Sequence, residues 1–131
     1  MNFLFLDDNP ERTRMVKSSY PAGVYTETAE ECIERFQERE EWDIVMLDHD
    51  LGGKTYVDSG REDCGMEVVR QICQNKKKIN LIIVHTLNHP AAEEMVKKLI
   101  EAGYNDVRRI PFTNTIYWKK IISEMKGYKN V

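Results

Sequence analysis

The hydrophobic residues of this chain form short continuous runs, and apolar residues at helical spacing lie between the runs. The strongest runs occupy residues 2–6, 43–47 and 81–84, and weaker ones occupy residues 24–26 and 106–110. Continuous runs rich in β-branched residues are typical of strands that are buried on both faces of a parallel sheet. Apolar residues recur every three or four positions between the runs, which predicts a helix after each strand.

Polar and conformationally special residues predict where several of these helices begin and end. Asn9 followed by Pro10 fits the N-cap and first turn of a helix, and Thr28 with Glu31 three residues later fits a capping box. Gly103 is placed to end the fourth helix. The residues of the last helix that we expect to be buried are Tyr117, Ile121, Ile122 and Met125.

Strict alternation of strand and helix predicts an α/β fold, a three-layer sandwich around one five-stranded parallel sheet with right-handed crossovers. The flavodoxin-like strand order 2-1-3-4-5 is the natural assignment. In that order, the carboxyl ends of the first, third and fourth strands lie together where the strand order reverses, which is where such sheets bind ligands. A length of 131 residues suits a single domain, and we expect residues 1–131 to form one.

Titratable side chains directly follow these three strands. Asp7 and Asp8 follow the first strand, the Asp-His-Asp sequence at 48–50 follows the third, and His85 follows the fourth. The order of the strands therefore predicts a preformed pocket in which these groups meet.

Three carboxylates of this pocket form the ligand set that we expect for a divalent metal. Asp7, Asp8 and Asp48 could together hold Mg²⁺ or Mn²⁺ and leave positions for a phosphate, because hard cations prefer oxygen ligands. Without a cation, the clustered charges require that at least one carboxyl has a raised pKa. One of Asp7 and Asp8 could instead cap the following helix, and the sequence leaves this alternative open.

Two histidines lie at adjacent strand ends, and we expect a catalytic set that combines them with carboxylates. His49 and His85 could move protons to and from phosphate oxygens, since imidazole titrates near neutrality. Asp48 and Asp50 complete the set, and Asp50 and Asn88 could fix the tautomers of the rings. A structural role for each histidine is the alternative.

The expected substrate-binding residues are Thr86, Asn88 and Arg61, through a hydroxyl, an amide and a cation that could contact a phosphate. The alternatives are a Thr86 that satisfies local backbone groups and an Arg61 that is a solvated surface charge. The segment 51–63 contains three glycines and is long for a strand-to-helix connection. Such a segment is typical of a binding loop or a mobile lid.

Composition narrows the classes of protein and partner. A net charge of −3 argues against an extended DNA-binding surface. Three cysteines without metal-like spacing are expected to be reduced thiols. The N-terminal sequence lacks the features of a signal peptide and no apolar run is long enough to span a membrane, so we expect a cytoplasmic protein without membrane contact.

The chain resembles the receiver domain of response regulators along essentially its whole length. The resemblance rests on the Asp7 and Asp8 pair, Asp48 at the phosphoacceptor position, the sequence Gly-Met-Glu-Val-Val at 65–69, and Thr86 after the fourth strand. It implies phosphorylation of Asp48 in signal transduction and a protein partner that responds to it.

One position departs from the receiver pattern. Receivers carry a lysine before the proline that follows the fifth strand, and here Ile110 precedes Pro111, which leaves Arg109 as the nearest cation in sequence. This departure counts against phosphorylation-driven signalling.

The chain is more similar to a divergent receiver-like family described as cyclic-phosphate processing. That family has the motifs Leu-Asp-His-Asp-Leu-Gly and His-Ser/Thr-x-Asn with a distant Met, and this chain has them at 47–52, at 85–88 and at Met95. It departs at Ala91, where the family often has Gly, and at Glu94, where the family often has Asn. The resemblance implies a metal-dependent phosphodiesterase, a hydrolase that processes a cyclic phosphate on a nucleotide or RNA end.

Three hypotheses of function remain. The retained carboxylates and the added histidines favour an enzyme, although they do not decide that the protein is one. A phosphoacceptor receiver modified on Asp48 is the alternative, and the missing lysine counts against it. A receiver-like module that binds partners without chemistry is the third, and the retained acidic residues count against it.

Overall fold

The computed structural model describes residues 1–113 and 115–129 of the chain. Five strands alternate with five helices, and the strands form one parallel sheet in the order β2-β1-β3-β4-β5. The elements are β1 (Phe3–Leu6), α1 (Pro10–Ser19), β2 (Val24–Thr26), α2 (Ala29–Gln37), β3 (Glu41–Leu47), α3 (Gly65–Asn75), β4 (Lys78–Val84), α4 (His89–Glu101), β5 (Val107–Arg109) and α5 (Thr115–Lys129). The predicted fold class and strand order are confirmed.

The sheet lies between two layers of helices because successive strand residues point to opposite faces. Leu4 and Leu6 of β1 belong to the core under α2, α3 and α4, whereas Phe3 and Phe5 belong to the core under α1 and α5. Burial on both faces explains why β1, β3 and β4 appear in the sequence as continuous apolar runs.

The predicted helix termini at three positions are confirmed. Asn9 caps α1 by accepting hydrogen bonds from two backbone amides of the first turn. The Thr28 hydroxyl accepts from the Glu31 amide (3.1 Å), and the Glu31 carboxylate accepts from the amide of Glu27, one residue before the cap. Gly103 follows α4 with φ +105°, a conformation that L side chains rarely adopt.

The last helix differs from its prediction. Ile122 is buried and Ile121 is half-buried, but Tyr117 is 64% exposed. Tyr117 lies five residues before Ile122, which places it about 140° around the helix from the side chain that reaches the core. The side chain of Met125 lies outside the described residues.

Two further differences concern length. β3 and β4 begin earlier than their apolar runs, and their first pair, Glu41 with Lys78, lies at the exposed amino end of the sheet. β5 is a three-residue edge strand.

None of the described helices is long and apolar enough to cross a membrane.

Gly65 begins α3 directly against the carboxyl end of β3. Its amide donates to the His49 carbonyl (2.9 Å), and a Cβ added at Gly65 would lie 1.8 Å from the backbone oxygen of Asp48. Backbone cannot yield as a flexible side chain can, so only glycine allows this approach. Gly65 therefore helps to fix the position of Asp48.

We expect Gly65→Ala to lower the free energy of unfolding by about 3 kcal/mol or more, because the methyl group would push α3 away from β3. Urea unfolding measures the change. Gly60→Ala is the control, since its Cβ would meet only the flexible Asp58 side chain at 3.3 Å, and it should cost less than about 1 kcal/mol. Equal stability of the two variants would contradict the close approach at Gly65.

Candidate functional site

The site lies at the carboxyl ends of β1, β3 and β4, where ladder hydrogen bonds continue one residue beyond the strands. The Asp48 amide donates to the Leu6 carbonyl (3.0 Å), and the His85 amide donates to the Leu47 carbonyl (2.9 Å). Asp7, Asp48 and His85 are therefore held side by side on three adjacent strands.

The side chains of these three residues meet. His85 Nε2 lies 3.0 Å from Asp7 Oδ2, and both side chains are completely buried. One carboxylate oxygen of Asp7, one of Asp48 and one ring nitrogen of His85 all lie within 4.8 Å of one another. The two carboxylate oxygens at this spacing could bind a divalent metal, and the ring nitrogen could join them only after it loses its proton.

The surroundings of the His85 ring determine which nitrogen carries its proton. The ring stacks on Phe5 with centroids 5.3 Å apart, and the Phe112 ring lies edge-on at 5.8 Å. Nδ1 is buried and has no hydrogen-bond partner within the described residues. The hydrogen-bond network therefore assigns the proton of the neutral ring to Nε2, which donates it to Asp7.

Arg12 adds a cation that the sequence analysis missed. Its Nη1 lies 3.4 Å from Asp7 Oδ2 and 3.9 Å from Asp48 Oδ2, and its guanidinium lies over the Phe112 ring at 5.4 Å. Because Asn9 fixes the start of α1, Arg12 is the third residue of the helix and lies beside the strand ends. Helix N-termini favour acidic over basic residues. A basic residue in the first turn of the predicted helix was therefore the sequence signal that could have identified Arg12.

Burial and charge move the pKa values of the two carboxyls in opposite directions. Burial, with a contribution from the negative charge of Asp7, raises the pKa of Asp48 to about 6, although His85, the His49 amide and Arg12 oppose it. Burial also acts to raise the pKa of Asp7, but His85, together with the Asn9 amide and the charge of Arg12, outweighs it and lowers that pKa. Two carboxyls of the same type thus have different proton affinities in one pocket.

Asp8, the third expected metal ligand, points elsewhere. Its Oδ2 accepts a hydrogen bond from the Gly53 amide (2.7 Å), which ties the end of β1 to the loop 51–63. The cluster that the structure brings together contains Asp7, Asp48 and His85 instead. Asp8 is therefore outside the cluster, and one of its oxygens is engaged by Gly53.

Arg61, an expected substrate-binding residue, lies on a groove beside Asp8 rather than at the cluster. The groove has a volume of about 1160 Å³ and runs between α2 and the loop 51–63. Its charged lining residues are Asp8, Glu27, Glu30, Glu34, Glu62, Asp63, Glu67, Lys54 and Arg61. Arg61 forms a two-bond pair with Asp63 (2.7 and 2.8 Å). The excess of carboxylates makes this groove unfavourable for a phosphate.

His49, an expected catalytic residue, uses both ring nitrogens within the protein. Nδ1 lies 2.7 Å from Asp50 Oδ1, Nε2 lies 3.0 Å from Ser59 Oγ, and the side chain is completely buried. The ring therefore links the end of β3 to the loop 51–63. This arrangement agrees with the alternative in which His49 has a structural role.

Asp50 receives hydrogen bonds from four groups. Besides His49, the donors are the Asn88 side-chain amide (3.1 Å) and the backbone amides of Tyr56 (2.7 Å) and Val57 (3.1 Å). Burial acts to raise the pKa of Asp50, but these hydrogen bonds outweigh it and lower the pKa. Asn88 thus contacts Asp50, and the predicted catalytic carboxylate organises the loop.

Arg70 of α3 holds the other end of the loop, a role that the sequence analysis did not identify. Its guanidinium donates to the carbonyls of Ser59 (2.7 Å) and Arg61 (2.8 Å) and to the Glu67 carboxylate (2.6 Å). The loop 51–63 is therefore fastened at both ends rather than free.

Thr86 lies at the end of β4 and is buried. Its hydroxyl oxygen accepts a hydrogen bond from the Asn88 amide (3.1 Å), which leaves its own O–H available as a donor. Arg109, the nearest cation in sequence to the missing lysine, donates from Nη2 to the Thr86 carbonyl (3.4 Å). Arg12 thus supplies the guanidinium beside the carboxylates.

Comparison of sequences gives one match to a family model. The model is described as "Cyclic-phosphate processing Receiver domain" and matches residues 2–101. No curated protein matches the chain significantly in sequence.

Comparison of structures finds receiver domains with the same fold. A chain of the CheX-CheY-BeF3-Mg+2 complex from Borrelia burgdorferi is similar with a TM-score of 0.61 and 16% identity over 94% of this chain and 87% of that one. A response regulator from Burkholderia pseudomallei, solved with a phosphorylated aspartic acid, a calcium ion and citrate, has a TM-score of 0.57 and 14% identity. That match covers 99% of this chain and 75% of the other. Likeness at these identities establishes the fold.

We expect Asp48→Asn to stabilise the metal-free protein at pH 8 by between about 1 and 3 kcal/mol. The pKa of Asp48 is raised from 3.8 to about 6, so the folded state holds this proton more tightly than the unfolded state and ionised Asp48 opposes folding. The gain should therefore disappear as the pH falls below about 4. Urea unfolding with a chelator at both pH values measures it.

Asp7→Asn is the matched control, because the lowered pKa of Asp7 means that its ionised form stabilises the fold. This variant should be less stable than the wild type at pH 8. An Asp48→Asn variant that is no more stable than the wild type at pH 8 would contradict the account of the pocket.

We expect Asp50→Asn to loosen the loop 51–63 without unfolding the sheet. Hydrogen exchange at the Tyr56 and Val57 amides should speed up by about tenfold or more, because hydrogen bonds to a charged acceptor are lost. Asp58→Asn is the control, since the Asp58 carboxylate lies in the same loop but accepts a hydrogen bond from the nearby Gly60 amide (2.8 Å). Unchanged protection in Asp50→Asn would show that other contacts fasten the loop.

Proposed function

This chain belongs to the cyclic-phosphate processing receiver domain family, and we propose that it hydrolyses a cyclic phosphodiester on a nucleotide or RNA end. The reaction would take place where Asp7, Asp48 and His85 meet. The observation that carries the proposal is the buried hydrogen bond between His85 Nε2 and Asp7, next to a carboxyl whose pKa is raised to about 6. Asp7 and Asp48 thus bind protons with different affinities. Two carboxyls that differ in this way suit acid–base chemistry near neutral pH.

The donor atoms of the pocket fit a divalent metal such as Mg²⁺ or Mn²⁺. Asp7 and Asp48 would hold it through carboxylate oxygens, with the His85 nitrogen nearby, and their spacing of less than 4.8 Å supports this assignment. When bound, the cation would neutralise negative charge on the phosphate. Asp8, whose Oδ2 accepts from the Gly53 amide, would have to turn toward the cluster to be a further ligand.

The side chains divide the proton transfers between them. The Asp48 carboxylate accepts a proton from the attacking water. His85, in the form that carries a proton on each ring nitrogen, gives its Nε2 proton to the leaving ribose oxygen as the bond from that oxygen to phosphorus breaks, and remains as a neutral ring with its proton on Nδ1. Asp7 orients the His85 ring through the hydrogen bond to Nε2. Thr86 can donate its O–H to a phosphate oxygen, whereas His49 and Asp50 hold the loop.

A second candidate function is signalling through phosphorylation of Asp48. The position of Asp48 favours it, because the side chain ends the central strand and its Oδ2 faces Arg12 at 3.9 Å. The buried Ile110 before Pro111 counts against it, since this position offers no cation to a phosphoryl group. The similar response regulator from Burkholderia pseudomallei carries a phosphorylated aspartic acid, which supports this second candidate.

The test is turnover of 2′,3′-cyclic nucleotides and of RNA with a cyclic-phosphate end, in Mg²⁺ or Mn²⁺. We expect metal-dependent hydrolysis that falls by roughly 100-fold or more in His85→Ala and in Asp48→Asn, because each loses a proton-transfer group. His89→Ala is the control, since His89 is an exposed histidine on α4 paired with Glu93. Absence of turnover by folded, metal-loaded protein would contradict the proposal that this protein is an enzyme.

A parallel incubation with acetyl phosphate tests the second candidate. A phosphoryl adduct found by mass spectrometry in the wild type and absent from Asp48→Asn would support signalling. Absence of the adduct in a sample that hydrolyses cyclic phosphate would exclude it.

A further inference from the structure

We propose that Arg12 is the phosphate-binding residue of this site and that it rests on the metal-binding carboxylates until metal and phosphate arrive. This inference rests on the proposed function and extends it to a residue outside the motifs at 47–52 and 85–88. It assigns Arg12 two successive anionic partners, first the carboxylates of the protein and then the phosphate of the substrate.

The position of Arg12 gives it access to both partners. Its side chain is 25% exposed, whereas those of Asp7 and Asp48 are 0% and 5% exposed, so Arg12 is the most accessible of the three groups. Its guanidinium can therefore contact both the carboxylates and a ligand from solvent. The Phe112 ring beneath it at 5.4 Å supports the plane of the group.

The contacts of Arg12 with the carboxylates are loose. Its Nη1 lies 3.4 and 3.9 Å from the two carboxylate oxygens, compared with 2.7 and 2.8 Å for the two-bond pair between Arg61 and Asp63. Charge-assisted hydrogen bonds have lengths of about 2.7–2.9 Å. Arg12 therefore contributes charge to the cluster without being locked to it.

The guanidinium also has unused capacity. Both contacts with the carboxylates involve the single nitrogen Nη1, and a guanidinium carries five N–H donors in a planar fork. Arginine binds phosphate through two parallel hydrogen bonds, which a single contact nitrogen leaves possible.

The helix end itself disfavours a cation at Arg12, and the charges of Asp7 and Asp48 offset this. Arg12 lies in the first turn, where the helix dipole disfavours positive charge, and Asn9 already caps this end of the helix. The contrast with Arg109 is direct, because Arg109 contacts the Thr86 carbonyl instead of either carboxylate. A cation held beside a candidate phosphate site fits a binding role.

Two affinities should change in opposite directions when Arg12 is neutralised. Arg12 competes with a metal ion for Asp7 and Asp48, so its removal should strengthen metal binding, whereas the loss of its fork should weaken phosphate binding. A residue that merely held the pocket together would weaken both on removal.

The experiment uses the full chain and isothermal titration calorimetry. Arg12→Gln should bind MnCl₂ about tenfold more tightly than the wild type, and its metal-loaded form should bind inorganic phosphate about tenfold more weakly. Arg12→Lys keeps the charge but loses the fork, so it should retain the metal affinity of the wild type and lose part of the phosphate affinity. Arg14→Gln, an exposed change on the same helix, should alter neither.

Unchanged phosphate binding in Arg12→Gln would overturn the inference, and so would parallel weakening of metal and phosphate binding. Thermal unfolding of each variant checks that it is folded. If Arg12→Gln does not fold, the phosphate affinity of Arg12→Lys still tests the inference. Neither titration requires turnover, so a lack of hydrolysis would count against the proposed function alone.

Discussion

The hydrogen bond between Asp7 and His85 is the interaction on which the site depends. It joins the ends of β1 and β4 across β3, which lies between them, and both partners are completely buried. A buried carboxylate needs such a partner, because an unpaired buried charge is strongly destabilising. Burial raises the pKa of Asp48 between the two strands, and the negative charge that Asp7 keeps adds to this rise. The pairing across the central strand thus contributes to the electrostatics of the whole pocket.

Most of the fold could be predicted from the sequence, because local signals and the global architecture agree. Continuous apolar runs identified β1, β3 and β4, and the caps at Asn9, Thr28 and Gly103 set helix termini, so that alternation alone implied the parallel sheet. Tyr117 was placed wrongly because apolar spacing does not reveal how much of the surface of the last helix the sheet can cover.

The site could be predicted only as a set of strand ends, since its pairings connect residues far apart in sequence. The bond between His85 and Asp7 spans 78 positions, and no periodicity indicates it. Whether Asp7 or its neighbour Asp8 turns inward depends on how the backbone leaves β1, which a strand pattern does not fix. Arg12 was missed because a lone basic residue on a helix is usually a solvated charge.

The stacking of Phe5 on His85 gives one core residue a second constraint. Phe5 is completely buried in the core under α1 and α5, and the same ring lies parallel to the imidazole at 4°. A replacement that fills the core equally well but lacks a flat face would let the imidazole tilt away from Asp7. A substitution at Phe5 must therefore satisfy the orientation of the imidazole as well as the volume of the core, so the hydrophobic interior and the pocket above it are coupled through this ring.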